Sequence, residues 1–170
     1  MLKQLIIWDF DGVIADISNN FGKRKHILTE GIREIFDNKN IAQCIATGGS
    51  LSETLYKIEE CNIRDVFTID DIFTTSMVGV DKIEPNIFQL ACYIKGVNPE
   101  DAIVVDDSYS ALFGAIRAGC TPVAYLGNGL KHNKKYRKHI GNLGVKHIFY
   151  NMNELKNFID NIIQNNLLPL

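Results

Sequence analysis

Short apolar runs alternate along the whole chain with longer stretches in which apolar residues recur at helical spacing. Runs of the first kind make strands, and stretches of the second kind make helices with one apolar stripe. Their regular alternation predicts repeated βα units around a parallel sheet, an α/β fold. The strand candidates are Gln4 to Asp9, Ile41 to Thr47, a short Val66 to Thr68, Ala102 to Asp107, Pro122 to Leu126 and His147 to Tyr150. Between them, Lys25 to Phe36 repeats apolar residues at helical spacing, and Ser50 with Glu53 reads as a capping box ahead of Leu55 and Ile58. Pro85 suits the first turn of a helix running to Lys95, where Gly96 supplies a left-handed stop. Two further helices are predicted, Ser108 to Ala118 stopped by Gly119, and Asn153 to about Gln164 with Leu155, Phe158, Ile159 and Ile162 on one stripe.

A length of 170 residues with 46% hydrophobic content fits a single domain over residues 1–166, followed by a frayed tail at 167–170. A formal net charge of −2 gives no global reason to expect nucleic acid or an anionic membrane as partner. Cys44, Cys61, Cys92 and Cys120 are too scattered for a zinc or redox motif and read as buried small hydrophobes in a reduced compartment. No apolar run approaches the roughly 20 residues of a membrane span, and the start of the chain lacks the features of a signal peptide. A cytoplasmic protein without membrane contact is the expectation.

The segment that carries chemistry is Ile6-Ile7-Trp8-Asp9-Phe10-Asp11-Gly12-Val13, an apolar strand running into two carboxylates spaced i, i+2. In extended chain that spacing turns both acids to one side and Phe10 to the other. Two carboxylates about 4 Å apart repel by about 4 kcal/mol at an effective dielectric of about 20, so the pair calls for a cation or a shared proton. Magnesium fits, being a hard ion that binds through one or two carboxylates together with substrate phosphate.

With three further segments the chain resembles the haloacid dehalogenase-like superfamily over nearly its whole length. The family's D-x-D-G-V/T stands as Asp9 to Val13, and its strand-ending Ser or Thr as Thr47 in Ile45-Ala46-Thr47-Gly48-Gly49. Its K-P-x-P-x-x-F appears as Lys82-Ile83-Glu84-Pro85-Asn86-Ile87-Phe88, with Ile83 in place of the first proline. Its acidic strand end is Val104-Val105-Asp106-Asp107-Ser108. The resemblance implies a Rossmann-like, three-layer, doubly wound sheet of order 3-2-1-4-5 with a minimal cap or none. In that order the first and fourth strands are neighbours where the winding reverses, which brings Asp9, Asp107 and Thr47 to one crevice.

It further implies that Asp9 attacks phosphorus and that Asp11 serves as acid and then base. Mg²⁺ would be held by Asp9, the Asp11 backbone carbonyl and Asp107, with Asp106 as a further candidate. Thr47, Gly48 and Lys82 would grip the phosphoryl oxygens. Dehalogenase relatives lack the second acid, so Asp11 favours phosphoryl chemistry. The segments from Asp11 to Thr47 and from Thr47 to Lys82 leave no room for a sizeable inserted domain. The expected activity is phosphomonoester hydrolysis on a phosphorylated substrate, a small molecule in preference to a macromolecule. A phosphomutase and a non-catalytic phosphate- or partner-binding module stand as alternatives.

Two basic segments bear on the substrate. Lys23, Arg24, Lys25 and His26 follow the first strand, and Lys131, His132, Lys134, Lys135, Arg137, Lys138 and His139 follow the fifth. Both leave the carboxyl edge of the sheet, so eight of the 18 Lys and Arg residues are candidates for a positive rim around an open site. Shielding of such a site would fall to a bulky substrate or to a second subunit of a homo-oligomer.

Overall fold

The computed structural model describes residues 4–20, 23–127 and 134–165. Its centre is a six-stranded sheet whose strands all pair in parallel. In chain order these are β1 (Leu5–Trp8), β4 (Ala42–Thr47), β5 (Ile72–Thr74), β6 (Ala102–Asp106), β7 (Thr121–Tyr125) and β8 (His147–Phe149). Across the sheet the order is β5-β4-β1-β6-β7-β8. This is the doubly wound arrangement expected, with β8 added beyond the fifth strand.

β1 is buried along its whole length because both faces of the sheet are covered. Ile6 and Trp8 point into one core, with α1 (Ile32–Phe36), Ile58 of α2 (Leu51–Glu60) and α7 (Met152–Asn165). Leu5 and Ile7 point into the other, with α4 (Asn86–Lys95) and α5 (Tyr109–Ala118). Strand alternation thus explains the three layers from a single tetrapeptide. Among the described residues the remaining α-helices are α3 (Thr75–Val78) and α6 (Lys134–Gly141). All four cysteines are buried and none forms a disulfide. No helix among the described residues is long and apolar enough to cross a membrane.

The helix ends follow local chemistry. Ser50 accepts a hydrogen bond from the Glu53 amide at the start of α2, and Ser108 accepts one from the Ala111 amide at the start of α5. Gly96 ends α4 in the left-handed region, as expected.

Two sequence expectations are corrected. The third strand is Ile72–Thr74, in register with Ile45 to Thr47, and not Val66 to Thr68. Phe67 is apolar because it is packed edge-on against Phe36, while its backbone closes a turn onto the Ile63 carbonyl. The segment Lys25 to Phe36 is not one helix. Its first part forms β3 (Lys23–Leu28), antiparallel to β2 (Ala15–Asn20) in a separate two-stranded hairpin. Only Ile32–Phe36 is helical, entered through Gly31 at φ 82°. Leu28 lies four residues before Ile32 and so extends the apparent helical period into a strand.

Candidate active site

Three adjacent strands deliver the site. β4 ends at Thr47, β1 runs into Asp9, and β6 ends at Asp106 with Asp107 following. The Asp9 amide donates to the Val105 carbonyl at 2.9 Å, so the β1–β6 pairing extends to the acid itself. Carboxylate oxygens of Asp9, Asp106 and Asp107 all lie within 4.8 Å of one another.

Lys82 arrives on the loop between α3 and α4. Its Nζ donates to Asp9 Oδ1 at 2.5 Å, to Asp106 Oδ2 at 2.6 Å and to the Ala46 carbonyl at 3.1 Å. Three donors meet three acceptors, which makes burial of the ammonium tolerable. A glycine in α5 permits this approach. A Cβ on Gly114 would stand 1.9 Å from the Lys82 carbonyl oxygen. The second oxygen of Asp106 accepts from the Ser108 amide at 2.8 Å and its hydroxyl at 2.7 Å. Asp106 is therefore held at both oxygens, an anchor of the lysine and of the α5 start.

Asp107 is buried and its carboxylate lies against Gly12. Gly12 has φ 87°, and a Cβ there would come to 2.3 Å of Asp107 Oδ2, so the glycine of the motif is required twice over. Thr47 is buried, with its Oγ1 accepting from the Gly49 amide at 3.2 Å. Gly48 is exposed beside it, and its carbonyl accepts from the Thr75 hydroxyl at 3.4 Å.

The electrostatics follow from this crowding. Burial, then the Asp106 charge, outweigh the attraction of Lys82 and push the Asp9 carboxyl from its ordinary 3.8 up to about 7. Burial works against the Lys82 ammonium, but Asp106 and Asp9 more than offset it and hold the lysine protonated. Three carboxylates against one ammonium leave a deficit of two positive charges, which suits a divalent cation with oxygen ligands.

Asp11 departs from the expected side-by-side placement. β1 stops at Trp8, and the chain turns at Phe10, whose carbonyl accepts from the Ala15 amide at 3.0 Å. The Asp11 carboxylate, 48% exposed, takes a different partner from Asp9, with its Oδ2 accepting from Lys57 Nζ at 2.7 Å. It adds no side-chain oxygen to the cluster of Asp9, Asp106 and Asp107. Lys57 was not foreseen from the sequence. The available signal was its place on the apolar stripe of α2, between Thr54 and Ile58. His26 belongs to the hairpin, with its Nδ1 at 2.7 Å from Glu60 Oε2 and its Nε2 at 4.0 Å from Asp11 Oδ1.

Of the two basic segments, Lys131, His132 and the side chains of Lys23 and Arg24 lie outside the described residues, as does the 167–170 tail. Lys25, Lys134, Lys135, Arg137 and Lys138 are exposed. α6 is tied to the site by Tyr136, whose hydroxyl donates to the Asp107 carbonyl at 2.7 Å.

A family model for haloacid dehalogenase-like hydrolases matches residues 21–119. The chain belongs to this family. As a haloacid dehalogenase-like hydrolase it is 27% identical, over 124 residues, to hexitol phosphatase A of Escherichia coli (strain K12). That match covers 65% of this chain and 55% of the relative, so the chain spans about half the length of the curated protein it matches. Among solved structures, a family hydrolase from Deinococcus radiodurans R1 with bound phosphate and sodium superposes with a TM-score of 0.80 at 16% identity, covering 99% of each chain. CbbY from Rhodobacter sphaeroides in complex with phosphate gives a TM-score of 0.72 at 18% identity, covering 91% of this chain and 96% of that one. The family model shows the hydrolase family, and the solved structures show that the chain shares its fold.

Proposed function

We propose that the chain is a magnesium-dependent phosphomonoester hydrolase that works through an aspartyl-phosphate on Asp9. The observation that carries this reading is the arrangement around Asp9. Its carboxylate is 11% exposed at the carboxyl edge of the sheet, gripped by Lys82 and crowded by Asp106 and Asp107. Acids so placed lack charge balance until a divalent cation joins them, and that cation with Lys82 then offers a phosphate ester its seat.

An oxygen of Asp9 attacks phosphorus in line, the bond from phosphorus to the ester oxygen breaks, and that oxygen takes a proton from Asp11. In the second half-reaction Asp11 takes a proton from water as the water oxygen bonds to phosphorus. The Asp9–phosphorus bond then breaks, inorganic phosphate leaves and Asp9 returns as a carboxylate. Thr47 and the Gly48 amide hold the phosphoryl oxygens, and the Lys82 ammonium beside Asp9 balances their charge. Asp9, Asp107 and the Asp11 carbonyl would hold Mg²⁺, which when bound supplies charge stabilisation and orientation. Asp106, engaged at both oxygens, serves this site as the second anchor of Lys82.

The substrate is a phosphorylated small molecule, and the likeness to hexitol phosphatase A supports hydrolysis over phosphoryl transfer between positions of a sugar. Phosphate release from a panel of phosphorylated metabolites, measured with Mg²⁺ and with EDTA, tests the proposal. Activity should vanish in EDTA and fall on the order of 10³-fold or more in Asp9→Asn. Near wild-type turnover in folded Asp9→Asn would remove Asp9 from its role.

A further inference from the structure

Lys57 stands where the fold alone would favour a hydrophobe. It lies on the buried stripe of α2 with Thr54 and Ile58, and its side chain is 5% exposed. Its ammonium sits 5.7 Å from the centre of the Phe10 ring, beside the motif that carries both acids. A methionine there would pack without the cost of taking a cation out of water. The ammonium instead spans two carboxylates that are both about half exposed, Asp11 at 2.7 Å and Glu53 at 3.3 Å, 48% and 55% exposed. Neither acid needs a buried lysine for its own solvation. The arrangement fixes a direction: Glu53, one turn back on α2, seats the ammonium, and the ammonium fixes one oxygen of Asp11.

The other side of Asp11 is bounded by the hairpin. His26 on β3 is held to α2 by Glu60, through its Nδ1 at 2.7 Å and its backbone amide at 3.4 Å. Its Nε2 faces Asp11 Oδ1 at 4.0 Å. An aspartate on a turn, half exposed, would otherwise sample its rotamers freely. A proton-transfer group must be held close to its productive geometry.

We propose that Lys57 is the positioning residue of Asp11, holding that carboxyl in the geometry from which it protonates the leaving oxygen. This rests on the phosphatase reading above, in which Asp11 is the acid. Lys57 touches no reacting atom, so its effect passes through Asp11 and depends on how much the leaving group needs a proton.

The test uses substituted phenyl phosphates, from 4-nitrophenyl phosphate to phenyl phosphate, as probes of increasing need for a general acid. The readout is kcat/KM, which reports the half-reaction in which the phenol departs. Lys57→Met should lower kcat/KM several-fold for 4-nitrophenyl phosphate and on the order of ten- to a hundredfold for phenyl phosphate, a steepened leaving-group dependence. In an Asp11→Asn background the same substitution should add almost nothing. Equal losses across the series, or a full additional loss in Asp11→Asn, would overturn the assignment and leave the phosphatase reading standing. Should Lys57→Met melt below the assay temperature, Lys57→Gln is put through the same series with the same criteria. Turnover retained in Asp9→Asn would instead sink the reading on which the inference rests.

Discussion

Asp9 meets the carboxylates of Asp106 and Asp107 within 4.8 Å, and Lys82 answers only part of that charge. With its carboxyl at about 7 in the folded chain against an ordinary 3.8, the folded state binds this proton more tightly than the unfolded state does. The stability tied to it is full below about pH 4 and is lost as pH rises through about 7, on the order of 4 kcal/mol in metal-free protein. Urea unfolding in EDTA from pH 4 to 8 should show that decline in the wild type and a much flatter profile in Asp9→Asn. Excess Mg²⁺ at neutral pH should restore the wild type by binding only the folded state. Identical pH profiles for the two proteins would mean that the acid cluster stores no such strain. The placement of Asp9, Thr47, Lys82 and Asp107 along one edge was legible in the sequence, because each lies at a strand end or ahead of a proline-led helix, whereas the turn that sends Asp11 to another partner was not. Lys57 was not, since its partner lies 46 residues away and only a folded α2 aims it there.

At the scale of elements, strands were legible where a run of apolar residues is buried on both faces, as in Leu5–Trp8 and Ala102–Asp106. The hairpin was missed because Ala15–Asn20 and Lys23–Leu28 are mostly polar and carry no apolar run that marks a strand. The local spacing of Leu28, Ile32, Ile35 and Phe36 imitates a helix. The third strand was displaced because Ile72–Thr74 is short and follows Asp70 and Asp71, which read as loop residues. α5 shows the opposite case, in which a small residue in a helix has a long-range reason. Gly114→Ala in an exposed helix would gain up to about 1 kcal/mol. Here the added Cβ would stand 1.9 Å from the Lys82 carbonyl oxygen, a backbone atom that cannot rotate away. The expected net effect is a destabilisation of about 1–3 kcal/mol together with a raised KM as the Lys82 loop is displaced. Thermal melting and steady-state kinetics decide the matter, and a variant more stable than wild type with unchanged KM would show that the loop does not rest on α5.

Taken as a molecule, the chain carries a slight acid excess of −2, yet its basic residues are not spread evenly. α6 holds Lys134, Lys135, Arg137 and Lys138, and three contacts fix where that helix lies. Tyr136 donates to the Asp107 carbonyl, His139 stacks on Tyr109 with ring centres 4.2 Å apart, and the Arg137 guanidinium lies 5.0 Å from the centre of the Tyr150 ring. The basic helix is therefore attached to the loop that carries Asp107 and stands at the carboxyl edge of the sheet. Between Asp11 and Ala42 the described residues form the β2–β3 hairpin and the five-residue α1. Positive charge at the carboxyl edge raises the local concentration of an anionic substrate without entering the chemical step. Replacing Lys134, Lys135 and Arg137 together by glutamine should raise KM for the best substrate by roughly three- to tenfold at low ionic strength. It should also flatten the dependence of KM on salt, since fewer charges remain to be screened, and leave kcat close to wild type. KM measured from low to high salt for both proteins separates the possibilities. An unchanged KM with an unchanged salt response would make α6 a solvated surface, and selection of the substrate would then fall to the hairpin side of the crevice, where Lys25 and His26 stand.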